Sequence, residues 1–171
     1  MTRSTYHTSM AATLAVGAEL SRAGYDVAFT LGNIPRIDLL CAVPDGQPFK
    51  IQVKGISSAN AFWVQQAFFD ADPQQDLFLV IVLVPPPPDP PLPDKSRLRF
   101  FVLSHSEAKH EFSKMPKIKR DRTPYTKESS GLNWGSITQY EDKWDKLPPI
   151  TGTMQPNRRA ASGPRAGAAA G

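Results

Sequence analysis

This chain of 171 residues contains one cysteine, Cys41, and three histidines, so thiolate and imidazole metal ligands are few. A single thiol excludes a disulfide framework and a cysteine-based zinc centre, and it points to a reducing compartment. Cys41 sits in an apolar strand candidate, where burial keeps a thiol protonated, so it reads as core rather than nucleophile. His105 and His110 are five apart, about 140° around a helix, and His7 stands alone, so no histidine metal site can be drawn. Long apolar runs are also missing. The longest, LFLVIVLV at 77–84, has strand length, well short of the roughly 20 residues that span a bilayer. The amino terminus carries one early Arg and a broken apolar run, which reads better as a helix than as a signal peptide. Cytoplasmic residence without a membrane is the expectation. No glycine-rich phosphate loop, GxSxG elbow, calcium loop or internal repeat occurs, which sets aside the chemistry tied to those motifs.

What is present suffices for one core. With 40% apolar residues the chain fits a single domain, expected over 1–150. Residues 151–171 are Pro, Gly, Ala and Arg without apolar periodicity and read as a disordered basic tail. Ser9 is the expected cap of a helix over 9–23 that stops at Gly24. Strands are expected over 26–30, 36–43 and 49–56. The stretch 58–69 fits either a strand or a helix, and its aromatic residues read as core. The run 77–84 marks a strand buried on both faces of a mixed sheet. PPPPDPPLP, with seven prolines in nine residues, cannot donate to a sheet and is expected to form the tip of a hairpin whose second strand is 97–103. That tip is loop filler or a docking peptide for an aromatic groove. A helix capped by Ser104 or Ser106 follows. A last helix over 131–147 should dock Ile137, Tyr140 and Trp144 from one face.

Chemistry concentrates around RIDLLCAV and FKIQVKG, joined by the turn PDGQP. Pairing Val43 with Phe49 would place Asp38 opposite Lys54 and Leu40 opposite Gln52, all on one sheet face. A carboxylate, an amide and an ammonium converging on one patch suit phosphate chemistry, in which a metal and a fixed cation share the developing charge. The plain structural account is a cross-strand Asp38–Lys54 ion pair, worth up to about 1 kcal/mol.

The segments GAELSRAGYDVAFTLGN, IDLL and IQVKG, read in order between about Gly17 and Ile56, resemble the core of the PD-(D/E)XK nuclease superfamily. Within it the likeness is to small bacterial Holliday-resolvase-like members. The resemblance implies an α/β, restriction-endonuclease-like fold with a mixed central sheet flanked by helices, and Mg²⁺- or Mn²⁺-dependent hydrolysis of DNA phosphodiesters. It makes Asp38, the Gln52 side-chain oxygen and the Val53 carbonyl the metal ligands. Lys54 would orient or deprotonate the attacking water, and Glu19 would supply a second carboxylate. Asn33 and Arg36 become phosphate contacts. The sequence departs from the pattern at Gln52, where the family carries an acid, and the helix carboxylate of the resolvase-like pattern falls nearer Thr13 than Glu19. DNA is the expected partner, with RNA open, and a homodimer is among the arrangements that the family adopts.

Overall charge is +4, but 109–127 holds seven basic residues against two acids. Lys117, Lys119, Arg120 and Arg122 lie within it and suit a phosphate backbone, or else form a solvated surface. Two readings of the whole remain: a metal-dependent nuclease, or a nuclease-like domain without catalysis that binds nucleic acid or a protein.

Overall fold

The structure is a computed structural model, and it describes residues 4–30, 37–43, 46–59, 62–64, 66–85, 97–114 and 131–150. The chain forms an α/β layer structure. Helix α1 (Thr5–Ala23) leads into strands β1 (Asp26–Phe29), β2 (Leu39–Ala42) and β3 (Phe49–Ile56). A two-residue strand β4 (Phe62–Trp63) and a short helix α2 (Gln66–Asp70) follow. Next come β5 (Leu77–Leu83), β6 (Arg99–Ser104) and helix α3 (His105–Ser113). The last elements are β7 (Gly131–Leu132), α4 (Trp134–Ile137) and two 3₁₀ turns, Thr138–Tyr140 and Trp144–Lys146.

Five strands make one mixed sheet in the order β1-β2-β3-β5-β6, and β4 pairs with β7 apart from it. β1, β2 and β3 form an antiparallel meander; β3 and β5 are parallel, and β5 and β6 antiparallel. Because successive strand residues face opposite sides, the sheet carries two cores. Phe49, Ile51, Phe78, Val80, Val82 and Val102 pack against Ala12, Val16 and Leu20 of α1. Ile56, Leu79, Ile81, Phe101 and Leu103 face the other way, against Phe68, Ala108, Leu132 and Ile137. As its continuous apolar run implied, β5 is buried over six of its seven residues.

Gly24 ends α1 with φ 103°, a left-handed conformation that a glycine adopts without a Cβ clash. The helix begins earlier than expected, however. Ser4, not Ser9, is its cap and accepts the His7 N–H. Helix α3 has the full capping box: the Ser104 Oγ accepts from the Glu107 N–H, while the Glu107 carboxylate accepts from the Ser104 N–H. The ambiguous stretch after Ser58 resolves into both elements, β4 and then α2.

The expected helix over 131–147 is not continuous. Asn133 caps only one turn, and Asp142 takes φ 51°, donating its N–H to the Phe100 carbonyl beside a Phe101–Glu141 bridge. The break has a packing reason. Ile137 and Tyr140 join the core on the α3 side, whereas Trp144 and Leu147 join the core under α1. A straight helix cannot reach both faces of a sheet, so the chain bends around the β6 edge. Arg99 clamps the bend through two 2.6 Å hydrogen bonds to Glu141, and Tyr25 Oη donates to the Pro148 carbonyl at 2.8 Å.

Residues 86–96, which contain most of the proline-rich tip, and residues 115–130 and 151–171 lie outside the described residues.

Candidate functional site

The hairpin register differs from the expected one by two residues. Leu39 pairs with Ile51, Leu40 with Lys50 and Cys41 with Phe49. A slip of two preserves the faces, so Asp38, Gln52 and Lys54 still share one side, but Asp38 now comes level with Gln52 rather than Lys54. The reason lies in the ladder itself. It stops at Leu39, and there the Asp38 side chain replaces a backbone acceptor: its Oδ2 accepts the Val53 N–H at 2.7 Å, while its own N–H donates to the Ile51 carbonyl at 2.9 Å. Thr30 completes the anchor. Its N–H donates to the Asp38 carbonyl and its hydroxyl to the Ile37 carbonyl. The sequence offered no sign of Thr30, because this contact links β1 to a backbone atom and leaves no side-chain pattern.

These bonds hold the carboxylate in place and leave one of its oxygens for a ligand. Val53 adds to the set through strand geometry. The N–H and C=O of one strand residue point the same way. Lys50 gives its N–H to the Asp76 carbonyl on the β5 side, and Ile56 its C=O to the Val84 N–H. The odd-numbered Val53 therefore directs its N–H and carbonyl to the β2 side, where the N–H meets the Asp38 carboxylate.

Gln52 supplies the most telling atom. Its side-chain Oε1 is buried and accepts no hydrogen bond among the described residues. A buried carbonyl without a donor costs about 1–3 kcal/mol, so such an atom calls for a partner that the protein alone does not provide. Lys54 lies two residues along the same face, and none of the ion pairs among the described residues includes it. Burial raises the Asp38 carboxyl above its ordinary range, against the opposing pull of the Val53 N–H and the Lys54 charge. Burial likewise lowers the Lys54 ammonium, opposed by Asp38. Both groups are thus pushed toward their neutral forms despite their mutual attraction, unlike an exposed structural ion pair.

The donor set of one carboxylate oxygen, one amide oxygen and one backbone carbonyl is all oxygen. It fits a small hard divalent cation that keeps several waters. It does not resemble a zinc or thiolate site. Among the described residues no group of three His, Cys, Asp or Glu side chains could hold a metal.

Glu19 is not brought to this place. It lies on the flank of α1 that lines a groove with Arg97, Arg99, Phe100 and Trp144, over β6, whereas Asp38 leads into β2 on the far side of β3 and β5. Gln52 and Lys54 also project from the face opposite to α1. Glu19 is engaged by Arg22 at 2.5 Å instead. Asn33, Arg36, Lys117, Lys119, Arg120 and Arg122 fall outside the described residues.

The remaining reactive groups are accounted for by packing. Burial pushes the Cys41 thiol up to about 12, which leaves it inert. His105 is fully buried, accepting the Gln74 N–H at Nδ1 and donating from Nε2 to the Phe68 carbonyl. No helix among the described residues is long and apolar enough to cross a membrane.

Comparison with known proteins finds no matching family model, no similar curated protein and no similar solved structure.

Proposed function

We propose that the chain is a Mg²⁺- or Mn²⁺-dependent nuclease of restriction-endonuclease-like fold that hydrolyses DNA phosphodiesters at the head of β2 and the middle of β3. The observation that carries this reading is the unpartnered, buried Gln52 Oε1 level with the anchored Asp38, with Lys54 on the same face. The five-stranded mixed sheet flanked by helices supports it, being the coarse architecture that the sequence resemblance implies.

Asp38, Gln52 and Val53 would hold the cation, with water filling its other positions. A divalent ion there supplies Lewis-acid polarisation of a phosphoryl oxygen and lowers the pKa of a bound water. The protein's own work is narrower. The Val53 N–H fixes the Asp38 carboxylate, so little reorganisation accompanies binding. The Lys54 Nζ, lowered by burial, offsets phosphate charge when protonated and takes a proton from the attacking water when neutral. Asn33, Arg36 and the basic residues Lys117, Lys119, Arg120 and Arg122 would meet the nucleic acid backbone.

The test is cleavage of plasmid and branched DNA by the purified protein in Mg²⁺ or Mn²⁺, set against Asp38→Ala and Lys54→Ala. Nicking that both substitutions abolish supports the nuclease. The neutral Gln52 favours a second reading, a domain that binds nucleic acid or a protein without cutting. Intact DNA that is nevertheless retained by the protein at low salt would put that reading in its place.

A further inference from the structure

Resting on that nuclease reading, we infer that Thr30 is a positioning residue for the reaction, acting through Asp38. In a regular strand the N–H and C=O of one residue point to the same side. At Asp38 they part. Its N–H donates to the Ile51 carbonyl on β3 at 2.9 Å, whereas its C=O accepts the Thr30 N–H on the β1 side at 3.1 Å. Ile51 is thereby opposed by two residues, Asp38 through this bond and Leu39 through the ladder. Two residues against one is the count of a β-bulge, a device that ends pairing and turns a side chain. Here the turned side chain is the carboxylate, whose Oδ2 accepts the Val53 N–H at 2.7 Å.

Such a turn keeps its angle only if the peptide planes on either side of the Asp38 Cα are held, and Thr30 touches both. Its hydroxyl donates to the Ile37 carbonyl, with the Asp38 carbonyl as a second acceptor at 3.4 Å. The Ile37 carbonyl and the Asp38 N–H share one rigid plane, which is therefore fixed at both ends, by Thr30 and by Ile51. The Asp38 carbonyl belongs to the next plane, and the Thr30 N–H fixes that one. One threonine thus controls both backbone rotations that set the direction of the carboxylate.

Pairing of the strands does not need the hydroxyl. The β1–β2 ladder runs from Asp26 with Ala42 to Phe29 with Leu39, and Thr30 lies beyond its end. Any residue but proline would supply the N–H there. What the hydroxyl adds is the hold on the Ile37–Asp38 plane. Once that hold is lost the plane turns, and the free carboxylate oxygen leaves its place level with Gln52. A misplacement of about 1 Å can cost on the order of 100-fold in rate. The loss falls on kcat rather than KM, because it concerns the reacting geometry and not the grip on the substrate.

Thr30→Val keeps the shape of the side chain and its N–H while removing the hydroxyl; Thr30→Ser keeps the hydroxyl. Plasmid nicking in Mg²⁺ gives kcat and KM for each. Nuclear magnetic resonance of the full chain without metal or DNA observes the Val53 amide, a readout separate from activity. Thr30→Val should lower kcat about 10- to 100-fold while KM changes by less than about threefold. Its Val53 amide proton should move upfield and exchange with solvent about tenfold faster, as the carboxylate loosens. Thr30→Ser should restore both. Tyr140→Phe, a substitution in the core beside α3, controls for lost stability and should leave kcat and the Val53 amide as they are.

Native kcat or an unmoved Val53 amide in Thr30→Val overturns the positioning role and leaves the nuclease reading standing. A loss that Thr30→Ser does not restore, or an equal fall of kcat in Tyr140→Phe, does the same. If Thr30→Val does not fold by circular dichroism, Thr30→Ala takes its place, and failure of both to fold makes the hydroxyl a structural bond and overturns the proposal. A native chain that does not cut DNA overturns the nuclease reading and the positioning role together.

Discussion

Gln52→Met should make the protein more stable while disabling it. The side chain projects into the site with its Oε1 buried and unpartnered, and methionine keeps its unbranched reach without a polar end. The penalty removed is about 1–3 kcal/mol for a buried carbonyl lacking a donor. Allowing for imperfect packing of the thioether, a net gain of about 1–2 kcal/mol remains. For a domain of this size that is a rise in Tm of roughly 3–6 °C. The assay is thermal and urea unfolding of both proteins without divalent metal, with the m-value checked for constancy. Metal uptake in the presence of duplex should be lost in the same variant. A fall in Tm at unchanged m would refute the reasoning, because it would mean that the amide makes a structural hydrogen bond and that the orphaned oxygen is not a ligand in waiting.

Asp38→Asn preserves an acceptor for the Val53 N–H and removes the buried charge. Because burial raises the folded carboxyl above its ordinary 3.8, ionisation opposes folding at every pH above the folded value, and that cost is relieved as pH falls through it toward 3.8. Urea midpoints should therefore show the Asn variant more stable at pH 7 and the two proteins converging near pH 4; a less stable variant at pH 7 would contradict this. Gly55→Ala addresses the packing of α1 on β3. A Cβ there would lie 2.6 Å from the Thr8 carbonyl and 3.0 Å from the Ala12 Cβ, and backbone cannot move aside as a side chain can. The expected loss is about 1–3 kcal/mol in urea unfolding, and an unchanged midpoint would show that α1 is not seated so closely. Tyr140→Phe removes a 3.0 Å hydrogen bond to Glu111, whose carboxylate is only 2% exposed and retains Lys114 at 2.9 Å. A cost of about 1.5–3 kcal/mol follows for a bond to a buried charge. The tyrosine's own pKa, pushed up to about 12 first by burial and then by Glu111, should be seen as delayed ionisation in an absorbance titration.

How far the sequence reached can be followed residue by residue. The continuous apolar run of β5, the Gly24 stop and a serine-capped helix after β6 were legible because each depends on local pattern, though only the structure chose Ser104 over Ser106 as the cap. The chain from Gly131 to Leu147 was misleading for the same reason. Its apolar spacing suits a helix, but Ile137 with Tyr140 and Trp144 with Leu147 belong to opposite faces of the sheet, and local spacing carries no information about which core a residue will join.

The site divides along the same line. Alternation of side chains by itself placed Asp38, Gln52 and Lys54 on one face, since parity survives any even slip of register. Only the tertiary structure decided that Asp38 stands level with Gln52, because the register depends on where the ladder gives way to the carboxylate and on Thr30 holding the chain before β2. It also separated Glu19 from the cluster, since which sheet face and which strand a helix covers is determined by packing between distant segments. The sequence determined which groups could meet. The packing of α1, β1 and β5 around the hairpin determined which of them did, and left the buried Gln52 oxygen without a partner among the described residues.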